Sequence, residues 1–223
     1  MTSRNDLLVF SLDPNQTLAF NERRLILKPR AFPVRFGCLA ALLVASIIAV
    51  AQPAPPPQVN FTVDPATTAI HWTLNTTVHT VHGTFKLTRG SFQLDTATGN
   101  ASGLITVDAT SGDSQSKARD SRMHKEVIES AKFPTITFRP THIDGKFEPA
   151  TTRTFKVDGI LNVHGQDHPI QLTVEVHPQG SGIAMTTKFA IPFVKWGMKD
   201  PSTFVFRTDK DVQLELESVA TVK

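Results

Sequence analysis

The chain has 223 residues, 40% of them apolar, which suffices for one ordinary domain with a core and excludes a disordered chain. The formal charge of +3 lies entirely in the first 36 residues, where Arg4, Arg23, Arg24, Lys28, Arg30 and Arg35 outnumber Asp6, Asp13 and Glu22. The rest of the chain is balanced, so it has no strong basic field. Position therefore argues against a nucleic-acid partner, despite a sequence pI near 9.1.

Residues 37–50 form a nearly pure apolar run, GCLAALLVASIIAV, preceded by Arg35. It is shorter than the ~20 residues that a spanning helix needs. Ala49-Val50-Ala51 fits the small-x-small rule, so we expect a secretory signal peptide cut by signal peptidase after Ala51. A retained membrane anchor is the alternative. The long stretch before Arg35 also leaves a later translation start open, for example at Val34. Cys38, the single cysteine, opens the apolar run rather than ending it, so the order does not suit a lipoprotein. The body has no disulfide, no thiolate nucleophile and no cysteine metal ligand.

Residues 52–60 begin QPAPPPQ and read as an extended Pro-rich spacer. The expected organisation is a leader over 1–51, this spacer over 52–60, and a β domain over 61–223.

The body alternates. Ile70, Trp72 and Leu74 share one face; Val81, Gly83, Phe85 and Leu87 continue it after a slip of parity between Val78 and Val81, which predicts a bulge or bend. Phe92 with Leu94, and Ile105 with Val107, repeat the pattern on either side of the turn DTATGNASG. Further strands are expected at Ile136–Phe138, Phe155–Val163, Ile170–Val176, Ile183–Ile191 and Val212–Val222. The period changes only near 115–131, where Met123, Val127 and Ile128 stand at helical spacing before Pro134. About eight antiparallel strands with one covered face favour a closed barrel or a sandwich.

Eight histidines raise the question of a metal. His79 and His82 face opposite sides of a strand, and His164 and His168 bracket a turn. No HExxH pattern or cysteine supports a site, and His164 is expected to bond backbone at its hairpin. No GxSxG, P-loop or GxGxxG is present. We expect neither a metal nor an enzyme.

Three stretches resemble the YceI-like family. Arg119-Asp120-x-x-x-His124, then Phe133-Pro134-x-Ile136-x-Phe138, is similar to its RDxHL helix and YP-x-I-x-F strand, with one extra residue before the His and no Leu after it. Val157-Asp158-Gly159-x-Leu161-x-Val163-His164-Gly165, followed by Pro169-Ile170-x-Leu172, resembles its GxLTxHGVTxPVxL hairpin, with Gln166-Asp167-His168 where Val-Thr-x is usual. Val63-Asp64-Pro65 with Ile70 resembles its IDxxHSxIxF opening, although His71-Trp72 departs from the common ending. The resemblance spans nearly the whole body. It implies an all-β, eight-stranded antiparallel, lipocalin-like barrel in the bacterial periplasm, with a polyisoprenoid or quinone-like lipid in its lumen as the only bound group. It leaves a homodimer open.

Alternation assigns Trp72, Leu74, Phe85, Ile105, Val107, Ile136, Phe138, Phe155, Leu161, Leu172, Met185 and Phe189 to the lumen. It does not decide between side chains packed on each other and a hollow. The helix is expected to close one end, with Arg119 and Asp120 pairing or capping it. The loop Pro192–Gly197, with Trp196, is expected to line the other mouth and to complete the ligand site. A lipid carrier is the leading reading. An envelope-stress partner-binding module without cargo, or a calycin-type enzyme, are the alternatives.

Overall fold

Strands rich in Val, Ile, Thr and Phe must pair every backbone N–H and C=O or leave an open edge. Here a single antiparallel sheet meets that demand by closing on itself. A computed structural model describes residues 57–223. The expected signal peptide and most of the Pro-rich spacer lie outside the described residues.

Nine strands occur among the described residues: β1 Gln58–Val63, β2 Ala69–Asn75, β3 Thr80–Asp95, β4 Ala101–Asp113, β5 Thr135–Asp144, β6 Arg153–Val163, β7 Gln166–Gln179, β8 Gly182–Ile191 and β9 Val212–Val222. They make eight staves, because β1 and β2 share one position between β3 and β9. β1 pairs with Gly90–Asp95 of β3 and Ala220–Val222 of β9. β2 pairs with Thr80–Phe85 and Gln213–Glu217 of the same two strands. A 3₁₀ turn, Pro65–Thr67, separates them; the Asp64 carboxylate accepts the Ala66 N–H at 2.9 Å and caps it. The remaining staves follow chain order, and β3–β4 pairing closes the ring. The barrel is a compact unit by itself.

Two sequence expectations shift. The spacer was expected to reach Asn60, yet the strand starts at Gln58, whose backbone pairs with Asp95. Pairing needs only backbone, so the polar side chains there conceal it. The parity slip after Val78 is a turn, Thr76–His79, closed by the Thr76 N–H to His79 O bond at 3.1 Å. A second slip lies within β3, where the register jumps between Leu87 and Arg89. That bulge lets Leu87 and then Phe92 and Leu94 all face inward along one long strand.

One helical segment interrupts the strands, as expected, but it is shorter than 115–131. An α-helix, α1, runs Lys117–Arg122 and passes into a π-helical turn, Met123–Val127. Glu129, at φ 49°, then takes the left-handed region and ends the segment.

Inside the ring, two aromatic rings lie over cross-strand glycines. A Cβ on Gly159 would stand 2.4 Å from the Phe138 ring and 2.7 Å from the Arg139 carbonyl. One on Gly83 would stand 2.3 Å from the Trp72 ring. Gly159→Ala is therefore expected to lower stability by about 1–3 kcal/mol. A drop in the urea midpoint at unchanged m-value would show it; an unchanged midpoint would mean that Phe138 moves freely.

Candidate functional site

The inner face of the ring encloses a cavity of about 460 Å³. That lies within the ~300–1,000 Å³ of pockets that bury a small-molecule ligand. The interior is thus hollow, not packed solid. Trp72, Leu74, Phe85, Ile105, Val107, Ile136, Phe138, Phe155, Leu161, Leu172, Met185 and Phe189 all stand on its wall. Polar side chains there are few: Thr187 gives its hydroxyl to the Thr173 carbonyl at 2.8 Å, and Ser218 is buried among apolar neighbours.

The two ends differ. At one end Phe61 stacks on Phe92 with ring centroids 4.5 Å apart. Phe147, from the β5–β6 loop, reaches across the ring to meet Phe61 edge-on at 5.0 Å. Phe61, Leu94 and Ile183 are almost inaccessible, and this aromatic cluster closes the barrel. At the other end the wall continues into Arg119, Arg122 and Met123 of the helix, Thr76 and His79 of the β2–β3 turn, and Pro201, Phe206 and Thr208 of the β8–β9 connection. Phe206 is exposed there, so this end is the mouth.

Trp196 does not line the cavity. It is half-buried, stacked on His168 with centroids 3.9 Å apart and planes 4° from parallel. Its loop folds tightly, with the Trp196 N–H on the Pro192 carbonyl at 3.0 Å, so Phe193 and Met198 take the inward places. Nor does that loop form a mouth opposite the helix. Val127 packs with Phe193 and Met198, and Lys199 bonds Glu126 at 2.6 Å, so helix and loop cover the same end.

The helix is clasped to the rim by the residues of its motif. Asp120 Oδ1 accepts the Ser114 N–H at 2.9 Å and the Ser114 hydroxyl. Arg119 donates Nε to Ser114 Oγ at 2.8 Å and Nη2 to the Ser114 carbonyl at 3.0 Å. His124 uses both ring nitrogens, with Gly112 O at 2.8 Å and Ser130 Oγ at 2.9 Å. Burial pushes the Asp120 carboxyl up, but the two Ser114 bonds, with His124 and Arg119 nearby, outweigh it and hold the carboxyl below its ordinary value.

His164 was expected to bond backbone. It bonds the Glu129 carboxylate instead, at 2.6 Å, because its hairpin turns back toward the helix exit. His164 and Gly165 have φ of 53° and 74°, the pair of positive values that a type I′ hairpin turn requires. The Phe133 ring lies 4.5 Å from the His164 ring and fills the space that a Cβ on Gly165 would take. The helix motif and the hairpin motif therefore meet in one contact. His168 has a different partner, the Trp196 ring.

The connection over 192–211 is also stapled. Lys210 and the Ser202 N–H bond Asp200 and hold its carboxyl far below the ordinary range. The Thr208 N–H donates to Ser202 Oγ at 3.0 Å and the two hydroxyls share a bond at 3.2 Å, while Asn75 donates to Asp209 at 3.1 Å. Sequence reasoning missed Phe61, Phe92, Phe147 and Phe206 as cavity residues. Alternation marks the first two, but Phe147 and Phe206 sit in loops with no periodic signal.

A family model described as "YceI-like domain" matches residues 61–220. The chain belongs to the YceI-like family. BcnA of Burkholderia cenocepacia has the same fold, at TM-score 0.60 and 20% identity, covering 71% of this chain and 99% of its own. A polyisoprenoid binding domain from Saccharophagus degradans, implicated in plant cell wall breakdown, is similar at TM-score 0.58 and 14% identity, covering 73% of this chain and 98% of its own. No curated protein matches in sequence. Among the described residues of this YceI-like chain, no helix is long and apolar enough to cross a membrane.

The Asp120 clasp contributes stability that is full above the ordinary carboxyl value of 3.8 and is lost as pH falls through its lower folded value. Asp120→Ala leaves the Ser114 N–H unpaired and is expected to cost about 1–3 kcal/mol near neutral pH. Acid and neutral unfolding curves should therefore lie closer together in the variant; an equal shift at both pH values would remove Asp120 from the acid response.

Proposed function

We propose that this protein carries one long apolar lipid, of isoprenoid or quinone-like type, in the lumen of its barrel. The observation that carries the reading is the hollow itself, with apolar side chains on nearly every inward position and one open end. A prenyl chain in water gains about 0.8 kcal/mol for each CH₂-sized group buried, so a five-carbon unit is worth roughly 3 kcal/mol gross. Ordering the chain and losing its free motion offset much of that. Several units in series still give useful affinity without a hydrogen bond.

The wall suits a slender guest, since bulges and cross-strand glycines let Trp72 and Phe138 lie flat against the strands and leave the axis free. The polar groups of the mouth, Arg119, Arg122 and His79, stand where a head group emerges. The similar domain from Saccharophagus degradans is described as polyisoprenoid binding, which supports the same class of cargo here. We read the protein as a carrier and not an enzyme: His124, His164 and Asp120 are engaged in bonds that fasten the helix and the hairpin, and the one hydroxyl on a histidine there, Ser130 on His124, is buried in that clasp. The apolar run before Ala51 supports export to the periplasm.

Native mass spectrometry of protein purified from its own host tests the reading. An adduct whose extracted mass belongs to a prenyl series is expected. A bare mass under conditions that preserve a known lipid complex would reject it. Met185→Trp places a larger ring on the lumen wall and is expected to cut adduct occupancy at least about tenfold, through lost buried length.

A further inference from the structure

Four large apolar side chains stand exposed among the described residues, and all four gather at the mouth. Val78 is 63% exposed, Phe204 100%, Val205 71% and Phe206 53%. Val78 belongs to the β2–β3 turn and the others to the β8–β9 connection. The Thr77 N–H to Arg207 O bond at 3.0 Å and the Thr76–Thr208 bridge hold the two loops side by side. Thr203 and Phe206 bond across the tip, at 2.7 Å from the Thr203 N–H and 3.0 Å to the Thr203 hydroxyl. That leaves Phe204 and Val205 outermost.

Tight tips are ordinarily built from Gly, Asn, Asp, Pro or Ser, each for a conformational reason. A Phe-Val tip has no such reason and leaves apolar surface in water. Connections beyond about 12–15 residues are ordinarily functional, and this one runs over residues 192–211. Phe206 is both exposed and part of the cavity wall, so the patch and the lumen form one continuous apolar surface.

Charge identifies what the patch meets. Residues 114–133 and 192–211, which surround it, hold nine Lys and Arg against six Asp and Glu. The loops at the closed end, 96–100, 145–152 and 180–181, hold one Lys and one Glu. Arg207, next to Phe206, has no carboxylate partner among the described residues. An apolar tip inside a basic collar matches an anionic bilayer surface, where hydrocarbon takes the rings and lipid phosphates take the cations. A second copy docked through the same face would set two basic collars against each other.

We propose that the mouth docks on an anionic lipid bilayer, with Phe204, Val205, Phe206 and Val78 entering the interface. A hydrocarbon chain then passes between bilayer and lumen along Phe206 without crossing water. The inference deepens the carrier reading by adding the surface on which loading and release occur, and its test is separate.

The barrel unit, Gln52–Lys223, is mixed with vesicles of phosphatidylcholine, with or without phosphatidylglycerol, and bound protein is measured by co-sedimentation. Binding is expected to the phosphatidylglycerol vesicles only, and to weaken with salt. The double variant F204S/V205S is expected to bind them at least about tenfold more weakly. Its urea midpoint should be unchanged, because Phe204 and Val205 are the most exposed of the four and neither lines the cavity. Failure of the parent protein to bind, or equal binding by the double variant, overturns the proposal. So does a concentration-dependent dimer abolished by the same substitutions. Vesicle binding as expected by a protein whose native mass shows no lipid supports docking while rejecting the carrier reading.

Discussion

The closed hydrogen-bonded ring governs everything else in this structure. Eight antiparallel staves can satisfy their backbone groups without a free edge only if the sheet curls until β3 meets β4. Once it closes, side chains alternate between one outer and one inner face, and the apolar set has nowhere to go but inward. The interior of such a ring is just wide enough either to fill or to hold one slender molecule. Here the ring is hollow, and the Trp72 and Phe138 rings lie over Gly83 and Gly159.

Closing the ring leaves two ends, and the chain treats them differently. Phe61, Phe92, Phe147 and Phe155 fill one with aromatic contacts that need no polar partner. The other is spanned by a helix held through Ser114, Gly112 and Ser130, and by a stapled connection that leaves Phe206 open to solvent. The family's motif residues serve this second end. Arg119, Asp120 and His124 fasten the helix, while His164, Gly165 and Phe133 lock the neighbouring hairpin to its exit. Residues far apart in sequence thereby form one scaffold around the mouth, and the cavity stays apolar because the polar groups are spent on the rim.

Alternation alone was enough to mark the strands and the inward set from Trp72 to Phe189, since the period of two is a local property of extended backbone. The helical break and its position before Pro134 were likewise legible. Local pattern failed where backbone pairing or loop packing decided the outcome. Gln58–Asn60 join the sheet through backbone bonds that polar side chains conceal. Trp196 looked like a mouth residue because it is a large ring in a loop, but the loop's own turn directs it onto His168.

By itself, the sequence determined a β domain of about eight strands, the identity of the apolar face, and the family. Each follows from composition, period or motif spacing within short stretches. Only the tertiary structure decided that the interior is hollow, that helix and long connection share one end, and that Phe147 seals the other. Those facts depend on contacts between residues distant along the chain, formed only when the ring closes, and no local period encodes them.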